Sequence, residues 1–331
     1  MKREAYASLF CRHHISMKYT LRPYQQEAVD RTVAHFRKTN DAALIVLPTG
    51  AGKSLVIAEL ARIARQKILV LAHVKELVEQ NAQKYASFGF KASIFSAGLK
   101  QKSLSEQVTF ASVQSLARNT AQLDEAYSLL IIDECHRVSG DDKSQYGQVI
   151  SALKKQNSQL KVLGLTATPF RMGMGWVYHH HYHGFVRGEQ SAPFKKCIFE
   201  LPLRYMIKHG YLTPPHEIDA AISHYDFASL PSDSFGRYSV ENMNALLKDS
   251  TRATKAIIKQ VIDYSENRQG VMIFAATVMH AKEIVGYLPA EQTALITGET
   301  DNNERDQIIT LFKQKQLKFL VNVSVLTTGF D

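Results

Sequence analysis

Two short groups of polar residues have the composition and order of a phosphate-binding site. The first is the segment Pro48 to Ser54, which reads PTGAGKS, and the second is the run Asp133 to His136, which reads DECH. Glycines in such a loop let successive backbone N–H groups face a phosphate, and the lysine and hydroxyl can reach the terminal phosphates and a magnesium ion. Two carboxylates can balance that cation and orient a water molecule. The two groups therefore indicate hydrolysis of a nucleoside triphosphate.

Each residue of the first group has an expected role toward ATP. Lys53 would reach the β- and γ-phosphates, and Ser54 would give its hydroxyl to Mg²⁺. Leu47 stands where the fuller glycine-rich pattern has its first glycine, so the match is to a shortened form. The remaining loop positions are expected to bind the phosphates through their backbone; they are Thr49, Gly50, Ala51 and Gly52.

The acidic group is expected to complete the site. Asp133 would bind Mg²⁺, Glu134 would act as the base that orients the attacking water, and His136 would sense the γ-phosphate. On its own, an acidic pair after a strand is more often a solvated loop. Its occurrence together with PTGAGKS favours the catalytic interpretation.

Alternating strands and helices must position both groups. Apolar runs predict strands at 43–47, 68–72, 92–96, 108–111, 128–132 and 161–166. Amphipathic patterns predict helices at 21–36, 54–65, 74–87, 113–120 and 145–155. The alternation predicts an α/β fold with a parallel sheet and right-handed crossovers. Phosphate loop and acids would then lie at the carboxyl edge of that sheet, where such folds bind ligands.

A second alternation of the same kind predicts a second lobe. Helices are expected at 251–266, 278–286 and 301–314, and strands at 271–275, 293–296 and 318–322. A chain of 331 residues is also longer than a single core usually supports. The expected domains are a disordered extension at 1–17, a first lobe at 18–205, a linker or accessory segment at 206–249 and a partial second lobe at 250–331.

Composition sets broad limits on the kind of protein. Hydrophobic residues make up 45% and charged residues 21% of the chain, and no apolar run approaches the roughly 18 residues that a membrane span needs. The formal net charge of +9 suits a polyanionic partner, although the basic residues are dispersed. Three isolated cysteines without metal-binding spacing fit a reducing cytoplasm.

The order of the motifs resembles that of superfamily 2 helicases, in which two RecA-like lobes bind ATP. The segments that carry the likeness are LRPYQQEAV at 21–29, LAHVKELVEQ at 71–80, TFASVQSLAR at 109–118, GLTATPFR at 164–171, VMIFAATVMHA at 271–281, ITGET at 296–300 and VNVSVLTTGFD at 321–331. The resemblance implies a P-loop NTPase with two RecA-like parallel-sheet lobes, the second incomplete at its C-terminus.

The resemblance also implies roles for further residues. Gln25 would read the adenine with Arg22 beside it, and Thr166 and Thr168 would couple hydrolysis to strand movement. The expected contacts to the nucleic-acid backbone are Lys75, Ser112, Gln114, Thr297 and Thr327.

Within the superfamily, the motif sequences are most similar to those of a DNA-directed branch. The motifs DECH, TATP and AHVKEL differ from those of DEAD-box RNA helicases and are similar to those of XPB-like enzymes, restriction motor subunits and, most of all, bacterial RadD (YejH) proteins. This likeness implies a cytoplasmic, DNA-dependent ATPase that uses ATP and Mg²⁺ in recombinational repair. Its expected partners are single-stranded or branched DNA, single-strand-binding protein and recombination proteins.

Several alternatives remain open at this point. The sequence ends before the helicase motif Q-x-x-G-R-x-x-R, so we expect these residues to bind nucleotide but to turn it over poorly. A restriction-type motor subunit or a non-catalytic nucleic-acid-binding scaffold are the alternative functions. The histidine cluster His179 to His183 could bind a metal, form a hydrogen-bonding patch or lie on a hairpin near DNA. Trp176 could stack on a base or pack in the core.

Overall fold

The computed structural model describes residues 20–218, 225–233 and 238–326. The chain divides into two compact units, with the boundary between Pro214 and Pro215. The sequence pattern placed the end of the first lobe at 205, so the first unit extends further along the chain. The predicted extension at 1–17 and the predicted contact Thr327 lie outside the described residues.

A large, mostly parallel sheet forms the first unit. The strands of this unit are β1 (Ala43–Val46), β2 (Ile68–Ala72), β3 (Ser93–Ser96), β4 (Gln101–Lys102), β5 (Val108–Ser112), β6 (Leu129–Asp133), β7 (Lys161–Thr166), β8 (Phe170–Arg171), β9 (Gly175–Trp176), β10 (Tyr178–His181) and β11 (Phe194–Glu200). β8 and β9 form a separate antiparallel hairpin outside the large sheet. The sheet order is β10-β11-β1-β7-β6-β2-β5-β3-β4, and among these strands only the β3–β4 pair is antiparallel.

Helices cover both faces of this sheet, because its central strands are apolar and buried on both sides. They are α1 (Pro23–Lys38), α2 (Lys53–Ile63), α3 (Lys75–Ala86), α4 (Val113–Ala117), α5 (Gln145–Gln156) and α6 (Leu203–Lys208). Pro23 begins α1, where its fixed φ and missing N–H suit the first turn. None of the described helices is long and apolar enough to cross a membrane.

The register of the sheet brings the chemical groups to one edge. Val46 at the end of β1 pairs with Thr166 at the end of β7, and Asp133 at the end of β6 pairs with Leu165. The phosphate loop, the acidic group and the TATP segment therefore leave neighbouring strands at the same carboxyl edge.

The region after 170, in which the sequence suggested a break in the alternation, adds two strands to the sheet. β11 pairs in parallel with β1 on the side opposite β7, and β10 pairs with β11. No strand is predicted at β11, because its lysines Lys195 and Lys196 are exposed and no predicted helix separates it from the preceding segment.

The second unit is a smaller parallel sheet with helices. Its elements are α7 (Val240–Asp249), α8 (Thr251–Tyr264), β12 (Val271–Phe274), α9 (Val278–Tyr287), β13 (Thr293–Ile296), α10 (Asn302–Lys313) and β14 (Phe319–Asn322), with strand order β12-β14-β13. Phe319 and Val321 of β14 pack with Ile258 and Ile284 to form its core. The predicted second alternation is confirmed, with element ends shifted by one or two residues.

Candidate nucleotide-binding site and nucleic-acid groove

The phosphate loop depends on two glycines with left-handed backbone angles. Gly50 has φ 78° and Gly52 has φ 76°. A Cβ on Gly52 would lie 2.5 Å from Gln25 Nε2, and a Cβ on Gly50 would lie 2.7 Å from Leu212 Cδ2. Glycine is therefore favoured at both positions, because an added side chain would strain the backbone and displace Gln25 or Leu212. Gly52 leads directly into α2, so the first turn of that helix points its N–H groups toward the loop.

Lys53 forms an ion pair with the expected base. Its Nζ lies 3.3 Å from Glu134 Oε1, and both side chains are mostly buried. Ser54, the next residue of α2, is half-buried. The structure thus brings the lysine of the first motif against the second acid of the other motif, although the two are far apart in sequence.

Asp133 is a buried carboxylate with two hydrogen-bond donors. Asn81 Nδ2 donates to its Oδ2 at 2.9 Å, and the backbone N–H of Glu134 donates to its Oδ1 at 3.0 Å. Burial raises the pKa of Asp133, and the neighbouring charge of Glu134 raises that pKa further. Asn81 is not among the site residues expected from the sequence. Its only signal was a polar residue on the buried face of α3, between Leu77 and Tyr85.

Glu134 connects the lysine to the histidine. Its Oε2 lies 3.4 Å from His136 Nδ1, and its backbone has φ 50°, a left-handed angle that is uncommon for a residue with a side chain. Burial raises the pKa of Glu134, but the hydrogen bond with His136 and the charge of Lys53 outweigh that effect, so the pKa lies below its ordinary value. Glu134 is therefore ionised near neutral pH, as a base must be.

His136 joins the acidic group to the TATP segment. Its Nδ1 lies 3.0 Å from Thr166 Oγ1, and that oxygen accepts the backbone N–H of Thr168 at 3.0 Å. A continuous chain of polar contacts thus runs from Lys53 through Glu134 and His136 to Thr166. Thr166, one of the two residues for which a coupling role was expected, ends this chain, and the backbone N–H of the other, Thr168, bonds to it.

The residues for which magnesium binding is expected have a fitting chemistry. Mg²⁺ prefers oxygen ligands and usually keeps several water molecules, so one hydroxyl and one carboxylate suffice when phosphates supply the rest. Ser54 provides the hydroxyl and Asp133 the carboxylate. The two hydrogen-bond donors of this carboxylate, from Asn81 and the Glu134 backbone, are neutral, and a cation would offset its burial.

The residues with an expected role toward the base lie against the phosphate loop. Gln25 is 2% exposed and donates from Nε2 to Ala51 O at 2.8 Å, while its Oε1 accepts the backbone N–H of Arg22 at 2.9 Å. Tyr24 donates its hydroxyl to the same Ala51 oxygen at 3.1 Å. The start of α1 is therefore bonded to the loop.

A groove at the same sheet edge brings together three of the expected nucleic-acid contacts. Its volume is about 280 Å³, and its lining includes Lys75, Ser112 and Gln114 with the further cations Lys102 and Arg118. Gln114 is held in place by donating to His73 O at 2.8 Å. Positive charge with hydroxyl and amide groups is the chemistry that binds a phosphate backbone. Thr297 lies in the second unit, where its Oγ1 accepts the N–H of Glu299.

The histidine cluster forms a hydrogen-bonded group at the sheet margin. His181 is 4% exposed, and its Nε2 lies 2.9 Å from Glu200 Oε2. Its Nδ1 accepts the N–H of His183, so the ring proton resides on Nε2 and Glu200 accepts it. Potential metal-ligand atoms of His181, Cys197 and Glu200 lie within 4.8 Å of one another. Both ring nitrogens are nevertheless satisfied within the protein, which favours the hydrogen-bonding patch.

Trp176 packs within the first unit. Its ring contacts Phe170 and Tyr178 edge-on, at centroid distances of 5.5 and 5.7 Å, and the Arg187 guanidinium covers it at 4.4 Å. These contacts favour the core-packing interpretation over stacking on a base.

Comparison with known proteins finds family models that match two regions of the chain. A model described as the res subunit of type III restriction enzymes matches residues 18–171, and a model of the helicase conserved C-terminal domain matches residues 253–331. Together with helicase relatives, these matches support a superfamily 2 helicase. The two matched regions contain the described motifs of both units.

Individual relatives agree with this assignment. The chain is 29% identical over 336 residues to irc3 of Schizosaccharomyces pombe, whose assigned name is that of a mitochondrial ATP-dependent helicase, covering 94% of this chain and 50% of that protein. It is 23% identical over 336 residues to an endonuclease subunit of a type I restriction enzyme of Staphylococcus aureus, covering 91% of this chain and 34% of that protein. The chain spans about half the length of the curated relatives it matches.

A solved structure shows the same fold. The type ISP restriction-modification enzyme LlaBIII bound to DNA matches with a TM-score of 0.55 at 15% identity, over 92% of this chain and 24% of that chain. The predicted α/β fold with RecA-like parallel sheets is confirmed.

Proposed function

We propose that this chain is the ATP-hydrolysing motor of a DNA helicase or translocase that acts in DNA repair and recombination, with ATP and Mg²⁺ as its cofactors. The observation that carries the proposal is the polar chain from Lys53 through Glu134 and His136 to Thr166. It joins a phosphate-binding lysine, an ionised base and the TATP segment in a single path, as a motor that couples hydrolysis to movement requires.

The contacts suggest how the site would act. The phosphates of ATP would bind the loop at 49–54, and Lys53 would move from Glu134 to the β- and γ-phosphates. Glu134 would then orient the attacking water, while Mg²⁺, held by Ser54 and Asp133, would offset the charge on the phosphates. Because His136 contacts both Glu134 and Thr166, a change at the γ-phosphate would reach the TATP segment.

DNA is the proposed polymer. The groove lined by Lys75, Ser112 and Gln114 would bind one strand through its phosphates, with little dependence on sequence. The DECH motif and the similarity to RadD proteins support a role of this chain in repair and recombination, with single-strand-binding protein as a partner. Thr297 and Thr327 are the proposed contacts from the second lobe.

An ATPase assay tests this proposal. Turnover of ATP by the wild-type chain, which we expect to be slow, should rise when single-stranded DNA is present, and Lys53→Ala should abolish it because the β- and γ-phosphates lose their cation. A matched control is Lys154→Ala, which removes a lysine from the last turn of α5. Wild-type hydrolysis by the Lys53 variant would show that the site is wrongly assigned. ATP binding without any hydrolysis by wild type would favour the scaffold alternative.

A motor subunit of a restriction complex is the second candidate. The similarity to the type I restriction subunit of Staphylococcus aureus favours it. Such a motor would be stimulated by double-stranded DNA in preference to single strands or forks, so the same assay with a panel of DNA structures separates the two candidates.

A further inference from the structure

The segment that follows α6 lies at the nucleotide site and not in a separate linker. Gly210, with φ 69°, turns the chain, and the backbone N–H groups of Tyr211 and Leu212 both donate to Met206 O, at 2.9 and 3.2 Å. Met206 is fully buried in the core of the first unit. The turn at 210–212 is thus fixed to the core immediately before the boundary between the two units.

Both residues of this turn contact parts of the nucleotide site. Leu212 lies against Gly50 of the phosphate loop. A Cβ added to Gly50 would lie 2.7 Å from Leu212 Cδ2. The Tyr211 ring carries the Arg22 guanidinium on its face, at 4.3 Å from the ring centroid. A residue that the sequence placed in the linker therefore contacts one of the residues with an expected role beside the adenine.

Arg22 is exposed, yet three contacts hold it in place. Tyr211 covers one face of the guanidinium, and Arg22 Nη1 donates to Tyr24 Oη at 3.1 Å. The Arg22 backbone N–H donates to Gln25 Oε1, and Gln25 in turn bonds the phosphate loop. A guanidinium is planar and stacks on aromatic systems with either face. With one face on Tyr211, the opposite face is the one that can receive a second aromatic ring.

We propose that Tyr211 is a positioning residue for the nucleobase: it holds the Arg22 guanidinium as a platform on which the purine ring of the bound triphosphate stacks. The proposal rests on the proposed ATP site and extends it to the segment that leads from the first unit to the second. Tyr211 acts through Arg22, so its ring matters and its hydroxyl does not.

Two probes separate an effect on the base from an effect on the phosphates. The affinities of a non-hydrolysable ATP analogue and of inorganic tripolyphosphate, which has no base, are measured for each variant by calorimetry. Tyr211→Ala should weaken binding of the ATP analogue about threefold to tenfold, as expected for loss of a cation–π support, and should leave tripolyphosphate affinity unchanged. Tyr211→Phe should bind both probes as wild type does. In steady state, the ATP KM of Tyr211→Ala should rise in the same proportion while kcat changes less than about twofold.

Further variants test whether Tyr211 works through Arg22. Arg22→Lys keeps the charge but loses the planar stacking surface, so it should show the same selective loss as Tyr211→Ala, and the two changes together should cost no more than either alone. Tyr264→Ala is the matched control, because this exposed tyrosine ends α8 in the second unit. It should bind both probes normally.

The outcomes distinguish the inference from the function on which it rests. Equal weakening of both probes in Tyr211→Ala would mean that the turn acts on the phosphate loop, through Leu212 or through the Tyr24 ring that Tyr211 contacts edge-on at 5.6 Å. Wild-type affinity would mean that Tyr211 has no role. Either result overturns the inference. Additive losses in the double variant would overturn it as well. Failure of the proposed function has a different signature, in which wild type and Lys53→Ala bind the ATP analogue equally poorly.

Discussion

Glu134 combines a left-handed backbone angle with side-chain contacts to Lys53 and His136, and this combination supports the proposal that its carboxylate is held in place for chemistry. A side chain in the left-handed region costs energy that surrounding contacts must offset. Here the contacts are the Lys53 ammonium and the His136 ring. The carboxylate lies against the lysine of the phosphate loop, which is consistent with its proposed role as the base that orients water.

Replacement of Glu134 by glutamine should separate binding from hydrolysis. The amide keeps the shape but cannot accept a proton, so we expect kcat to fall at least ~100-fold, which is the typical contribution of general-base catalysis. ATP affinity should be retained, because Lys53 no longer has a carboxylate that competes with phosphate. Single-turnover hydrolysis and equilibrium binding measure the two effects. Glu79→Gln, an exposed carboxylate on α3, is the control. A kcat within about threefold of wild type would exclude Glu134 as the base.

The contribution of Asp133 to the free energy of unfolding should fall as pH rises. A carboxyl group whose pKa is lowered by folding has the opposite effect. Burial raises the pKa of Asp133 above 3.8, so the folded chain retains a proton that the unfolded chain has released. Stability from this group is therefore present at low pH and is lost as pH rises through the raised pKa. Asp133→Asn does not titrate, so its free energy of unfolding relative to wild type should increase from pH 4 toward neutral pH.

Urea denaturation in the presence of a chelator measures this difference. Excess Mg²⁺ should recover stability at neutral pH in wild type but not in Asp133→Asn, because only the carboxylate gains from a cation. A difference between the two proteins that stays constant with pH would contradict the assignment of a raised pKa to Asp133.

At the scale of elements, the phosphate loop is fixed by its contact with α1. Gly52→Ala would place a Cβ in a left-handed position and against Gln25 Nε2, whose amide bonds Ala51 O. Gly89 offers a matched control, since it has φ 87° and open space around its Cβ position. We expect Gly89→Ala to cost ~1–2 kcal/mol from backbone strain alone, and Gly52→Ala to cost more and to weaken ATP binding. Equal losses of unfolding free energy in the two variants, measured by denaturation, would mean that the contact between the loop and α1 is unimportant.

The groove beside α3 and α4 should bind nucleic acid through its charges. Removing one phosphate contact from a single-strand complex lowers the slope of log affinity against log salt concentration by about 0.7. We expect this change for Lys102→Ala and for Arg118→Ala, measured by fluorescence anisotropy at several salt concentrations. Lys154→Ala on α5 is the control and should keep the wild-type slope. An unchanged slope in either groove variant would mean that the nucleic-acid strand binds elsewhere.

Local patterns predicted most of the elements but not the contacts that complete the site. The strand expected at 43–47 is Ala43–Val46, and the helix expected at 74–87 is Lys75–Ala86, because periodic apolar residues report directly on which face is buried. Asn81 meets Asp133 across 52 positions, and Tyr211 meets Arg22 across an even longer separation. No periodicity encodes such pairs. The Asn81–Asp133 pair depends on β6 lying beside β2, from which α3 follows. The Tyr211–Arg22 pair depends on β11 lying beside β1, which brings α6 and its turn to the phosphate loop.

At the scale of the whole molecule, the chain contains two units with separate hydrophobic cores, and the described residues of the proposed ATP site all lie in the first. The groove lies in the first unit as well. A fragment that ends at Pro214 should therefore unfold cooperatively and bind both an ATP analogue and single-stranded DNA. In a motor, however, coupling between two ligands requires an element with two states that both ligands bias. We expect the second unit to provide it.

This division predicts a difference in linkage between the fragment and the full chain. In the full chain, an ATP analogue should change DNA affinity by a factor within the usual range of about 5 to 150, and DNA should change analogue affinity by the same factor, because coupling is reciprocal. In the fragment ending at Pro214, each ligand should bind with an affinity that is independent of the other. Anisotropy titrations of DNA with and without saturating analogue measure both. Full coupling in the fragment would place the two-state element within the first unit. The contacts from His136 through Thr166 to Thr168 would then be sufficient to couple the ATP analogue to DNA.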